Sequence, residues 1–155
     1  MRRRKLLGIG AGLAVLPAVW AVRLAVAEDA PGWHTETAPL ERVFPELGPL
    51  TDARWVSSRD DDDRGVPSPE LVVSGYARLA PGKLDALTAA HPFAPGTPPA
   101  GTSWFEKPLQ QGAGPKDPDW VRSDSLDRDG SGARVTFWFD RRTGTVRFWA
   151  LNPHA

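Results

Sequence analysis

The residues best suited to chemistry in this sequence are acids, and they come in two runs. Asp60, Asp61, Asp62 and Asp63 are consecutive, and carboxylate oxygens of this kind are what a calcium ion takes as ligands. Neighbouring side chains on an extended chain point to opposite sides, so four in a row do not converge on one ion. Arg59 and Arg64 flank the run and offset its charge. A solvated loop is the expectation. The second run, Asp127-Arg128-Asp129-Gly130-Ser131-Gly132, begins with the oxygen positions and the glycine of a calcium loop. The twelfth position of such a loop must supply a bidentate Glu, and here it is Trp138. A hairpin turn using Asp-Gly accounts for the run better.

Other catalytic signatures are absent. His34, His91 and His154 have no metal-ligand spacing between them, and the chain has no cysteine. That rules out disulfides, thiol catalysis and cysteine zinc sites. No His-Glu-x-x-His, Gly-x-Ser-x-Gly, Ser-x-x-Lys or phosphate-cradling glycine loop occurs. No metal, cofactor or catalytic residue is therefore assigned. The enzymatic alternative is a small extracytoplasmic hydrolase using two carboxylates, because such pairs are defined in space and not by spacing.

The stretch with most to say is ARVTFWFDRRTGTVRFWALN, residues 133–152. A four-residue loop 141–144, with Gly144 in the left-handed region, sets Asp140 opposite Thr145. Pairing outward from there joins Phe139 to Val146, Phe137 to Phe148 and Val135 to Ala150. That face is wholly apolar and is the core face. The other face pairs Trp138 with Arg147, Thr136 with Trp149 and Arg134 with Leu151. Arg147 is expected to lie over Trp138 as a cation–π contact, with Tyr76 and Arg78 on the same side if their strand is adjacent. Such a surface suits a sugar polymer, a peptide or a partner protein. The competing expectation is that residues 92–118 fold back and set Trp104 and Phe105 over Trp138 and Trp149.

The elements that must position these residues read as α+β in the order ββαβββ. An antiparallel sheet of about five strands carries one helix on one face. Strands are expected at 51–58, 70–79, 119–126, 133–140 and 145–152, by alternation and by their turn residues. Residues 81–90 form the one clear helix, closed by Pro92. Leu40, Val43, Phe44 and Leu47 have helical spacing, but Pro39 and Pro45 limit that segment to a turn or two. Gly and Pro together make 31 of 155 residues, which argues for long connections and against a helical bundle.

The N-terminus sets the compartment. Arg2, Arg3, Arg4 and Lys5 precede 17 residues without a charge, and Ala25-Val26-Ala27 offers a signal-peptidase site at Ala25 and Ala27. Arg3-Arg4-Lys5-Leu6-Leu7 resembles a twin-arginine export pattern. Uncleaved, residues 6–27 are long enough as a helix to span a membrane, with the basic cluster inside. Both fates, secretion and anchoring to the cytoplasmic membrane, place the rest outside the cytoplasm. Residues 28–36 read as a tether and 37–155 as a single domain. From Glu28 onward there are 14 basic and 19 acidic residues, a net of −5 that gives no footprint for nucleic acid. In composition and layout the chain resembles small exported proteins of high-GC bacteria, a general likeness that transfers no residue role. The expected function is a non-catalytic binding or interaction module whose partner is a cell-envelope protein or polymer.

Overall fold

The structure is a computed structural model that describes residues 33–58, 70–100, 106, 109, 114–130 and 132–153. The export or anchor segment with Ala25 and Ala27, and the Asp60–Asp63 run, lie outside the described residues. So do Trp104, Phe105 and His154. No helix among the described residues is long and apolar enough to cross a membrane.

The fold is α+β around one antiparallel sheet. A short helix α1 (Ala38–Val43) and a 3-10 turn (Pro45–Leu47) lead into β1 (Leu50–Ser57) and β2 (Val72–Leu79). Helix α2 (Lys83–Ala90) follows, then β3 (Ala94–Pro95), β4 (Trp120–Arg122), β5 (Arg128–Gly130), β6 (Ala133–Asp140) and β7 (Thr145–Leu151). The strand order is β1-β2-β7-β6-β4-β3, with β5 also pairing β6. Seven strands form where about five were expected. The expected strand over 119–126 breaks at Ser123–Leu126, whose turn is closed by a Leu126 N–H to Ser123 C=O bond. The chain then rejoins the same edge of β6 as β5, pairing Arg128 with Val135 and Gly130 with Ala133. Strand β3 is two residues long, too short to leave any alternation in the sequence.

The β6–β7 register is the one that the turn chemistry dictates. Phe139 pairs with Val146, Phe137 with Phe148, Trp138 with Arg147 and Thr136 with Trp149, and Gly144 has φ +69°. Phe137, Phe139, Val146, Phe148 and Ala150 are fully buried. The cover on that face differs from the sequence expectation, which gave the role to the 81–90 helix. Two helices share it, and α1 with its 3-10 turn contributes most. Leu40, Phe44 and Leu47 are buried, and the Phe44 ring packs 5.3 Å from both Phe137 and Phe148. Helix α2 buries only Leu87. Beyond its end, Phe93 meets the Phe139 ring edge-on at 5.4 Å.

Two irregularities shape the opposite face. At Asp52–Ala53 the β1–β2 register shifts, so that both residues stand between the Thr51–Arg78 and Arg54–Tyr76 pairs where β2 has only Ala77. Asp52 takes φ +47° there, and a bulge of this kind re-aims the side chains beside it. Residues 33–36, read as the end of a tether, instead lie on the free edge of β1. His34 and Trp55 exchange backbone bonds of 2.8 and 3.0 Å, and their rings stack at 4.1 Å.

Candidate functional site

Strand β2 lies beside β7, pairing Ser74 with Trp149, Tyr76 with Arg147 and Arg78 with Thr145. The face away from the core therefore carries Trp138, Arg147, Trp149, Tyr76 and Arg78 together, as alternation requires. It is not an open surface. Trp138 and Arg147 are each 6% exposed, while Tyr76 and Trp149 are half-buried and Arg78 is exposed.

Part of the cover comes from the 92–118 segment, through Glu106 and Leu109, both buried. Glu106 Oε1 accepts from Arg147 Nη2 at 2.9 Å and from the Ser74 hydroxyl at 2.5 Å. Arg147 Nη1 donates to Ser74 Oγ at 2.6 Å and to the Phe148 carbonyl at 2.7 Å. These bonds draw the guanidinium toward β2, so it lies over Tyr76 at 5.1 Å. The expected stacking of Arg147 on Trp138 is replaced by that contact. Trp138 and Arg147 are thus both buried, and Arg147 Nη1 and Nη2 are bonded within the protein while the side chain borders the smaller cavity beside Glu106 and Trp120.

An open cavity remains on this side of the sheet, next to the β1 bulge. It is a groove of about 670 Å³, within the ~300–1,000 Å³ range of ligand sites. Asp52 and Arg54 reach it from the bulge, Arg78 from β2, Lys116 from the long segment, and Thr143 and Thr145 from the β6–β7 turn. Tyr76 forms a wall, and its other side bounds a smaller cavity of about 210 Å³ beside Glu106 and Trp120. The chain approaches Tyr76 so closely that a Cβ at Gly114 would stand 3.1 Å from its Cζ. The backbone just after Lys116 is tied to the β6–β7 turn. Arg142 Nη1 donates to the Asp117 carbonyl at 2.6 Å, and the Arg141 amide donates to the Asp119 carbonyl at 3.1 Å.

The charges at this groove are unbalanced. Arg78 Nε meets Asp52 at 3.3 Å. Arg54 lies over the Trp33 ring at 5.5 Å. Among the described residues neither Arg54 nor Lys116 has an acidic partner. Of these residues the sequence had singled out only Tyr76 and Arg78. Arg54, Asp52 and Lys116 were missed, and the only signal for them is the outward parity of Arg54 opposite Tyr76.

The acids nearest this face are committed elsewhere. Asp140 is fully buried and accepts from the Asp119 amide at 2.8 Å, the Arg142 amide at 3.2 Å and the Thr143 hydroxyl at 2.6 Å. Burial pushes its pKa up, but the Thr143 hydroxyl and the amides of Asp119, Arg142 and Thr143 outweigh burial and hold it below the ordinary value. Asp127, the first residue of the calcium-like run, accepts from the Phe137 amide at 3.1 Å and from Arg122 at 2.6 Å. No group of three or more metal-ligating side chains occurs among the described residues. His91 Nδ1 lies 2.9 Å from Ser125 Oγ, outside both cavities, and ties the end of α2 to the turn before β5.

No protein-family model, curated protein or solved structure matches the chain.

Proposed function

We propose that this protein is a non-catalytic binding module of the cell envelope, displayed outside the cytoplasm by its N-terminal segment. It takes its ligand in the groove between the β1 bulge, β2 and residues 114–116. The observation that carries this reading is the groove itself: Arg54, Arg78 and Lys116 converge on one cavity in which, among the described residues, Asp52 is the single carboxylate. Three unmatched or half-matched cations around a cavity repel one another unless a ligand balances them. The state of the acids favours binding over a two-carboxylate hydrolase. Glu106 is bonded to Arg147 and Ser74, Asp140 to the β6–β7 turn, and Asp52 to Arg78.

The test is retention of the full chain by sedimented cell envelope. Wild type is expected to pellet with the envelope, and Arg54→Gln/Arg78→Gln is expected to stay in the supernatant at unchanged melting temperature, since both side chains are exposed. Equal retention of the two proteins moves the contact away from the groove. Release of sugars or peptides from the envelope by wild type replaces binding with hydrolysis.

A further inference from the structure

We infer that the groove is a phosphate site, and that its ligand is a hydroxyl-bearing phosphate ester such as a polyol or sugar phosphate. The inference deepens the binding reading above and rests on it. Its starting point is charge. From Glu28 onward the chain is acidic, with 19 acids against 14 bases, yet among the described residues this groove gathers Arg54, Arg78 and Lys116 against Asp52 alone. Among these residues the surplus is two positive charges. A phosphomonoester carries about −1.5 to −2 at pH 7, and two adjacent phosphodiester units of a polymer match the same surplus together, whereas a single carboxylate carries −1 and a neutral sugar none.

Geometry agrees with the charge. Arg78 contacts Asp52 through Nε, which leaves the terminal nitrogens of the fork for a ligand among the described residues. Guanidinium forks bind phosphate oxygens in pairs, and an ammonium adds a point charge. Arg54 is steered by the bulge and by the Trp33 ring, and the backbone just after Lys116 is tied by bonds to Arg141 and Arg142. The three cations thus come from three separate segments of the fold and meet at one groove.

The hydroxyl-bearing part follows from the rest of the lining. The Thr143 hydroxyl donates toward Asp140 Oδ2 at 2.6 Å and lies 2.7 Å from Thr145 Oγ1, so its single proton is engaged within the turn. Thr145 lines the groove with a hydroxyl that can accept as well as donate. With Asp52, this gives the groove acceptors beside its cations, a set that matches ligand hydroxyls next to a phosphate. At about 670 Å³ the groove exceeds what a bare phosphate fills.

The experiment is calorimetric titration of the full chain, held in nonionic detergent, with glycerol 3-phosphate, poly(glycerol phosphate), glucuronate and glycerol. Saturable binding of glycerol 3-phosphate is expected, at least tenfold weaker in Arg54→Gln/Arg78→Gln and weakened by added salt. Poly(glycerol phosphate) binding more tightly than the monomer identifies an envelope polymer as the source, and the reverse identifies a free ester. Glucuronate matching glycerol 3-phosphate, or glycerol binding as well as either, overturns the phosphate assignment. So does equal binding by wild type and the double variant. If no phosphate probe binds while the envelope is still retained through Arg54 and Arg78, the phosphate class falls and the binding module stands. If glycerol 3-phosphate binds but the envelope is not retained, the phosphate site stands and the envelope partner falls.

Discussion

Arg147 donates to Glu106 Oε1 at 2.9 Å across a sequence separation of 41 residues, and both side chains are less than one-tenth exposed. The pair fastens the 92–118 segment to the middle of the sheet. Its energetics are asymmetric. Taking two ions out of water consumes most of their attraction, but removing one partner strands the other as a buried charge. Glu106→Leu or Arg147→Met alone is expected to cost about 3–5 kcal/mol, whereas the double replacement loses far less than the sum. Urea unfolding of the four proteins measures the coupling. Additive costs would mean that the two charges do not depend on each other.

Gly75 gives β1 and β2 their close approach. A Cβ there would stand 2.4 Å from Trp55 Cβ and 2.6 Å from the Arg54 carbonyl oxygen, so strand backbone must move to admit even one methyl. Gly75→Ala is expected to destabilise by about 3 kcal/mol, at the upper end of ordinary overpacking. Because β1 carries Arg54, the same change should weaken ligand capture in whatever fraction remains folded. An unchanged unfolding midpoint would refute the close approach.

How much of this was legible beforehand depends on the range over which each feature is defined. The hairpin register could be read because a four-residue turn ending in a left-handed glycine and a period of two fix it locally. That sorted Phe137, Phe139 and Phe148 from Trp138 and Arg147. Glu106 could not be read, because its partner is 41 residues away and its own segment has no periodicity. The bulge that presents Asp52 and Arg54 was also hidden, since a bulge exists only relative to the neighbouring strand. The weight of α1 was underestimated for a related reason. Pro39 and Pro45 do shorten it, but length does not measure how deeply Leu40 and Phe44 enter the core.

Asp140 should make stability depend on acid. Its folded-state pKa lies below the ordinary 3.8, so the folded state binds this proton less readily than the unfolded state does. The resulting stabilisation is fully present above the unfolded value and is lost as pH falls from there through the folded value. Asp140→Asn keeps one acceptor oxygen and is expected to cost about 1–3 kcal/mol at neutral pH through unmet donors of Asp119, Arg142 and Thr143. The gap between wild type and variant should narrow as pH drops below about 4. A gap that stays constant down to pH 2 would show that the charge on Asp140 does not contribute.

The relative weight of the two helices can be settled by truncation. Phe44 is fully buried, meets Phe137 edge-on and Phe148 at a tilt, and is capped by the Arg128 guanidinium at 5.8 Å. Arg128 also donates to the Val43 carbonyl at 2.8 Å and pairs with Glu46 at 3.3 Å, so β5 holds this cover in place. Phe44→Ala removes an aromatic ring that the surrounding rings cannot replace, and is expected to cost about 3–5 kcal/mol. Leu87→Ala should cost less, because α2 sets only that one buried side chain against the sheet. Thermal or urea unfolding of both variants decides the matter. A larger loss at Leu87 than at Phe44 would return the principal cover of the core to α2.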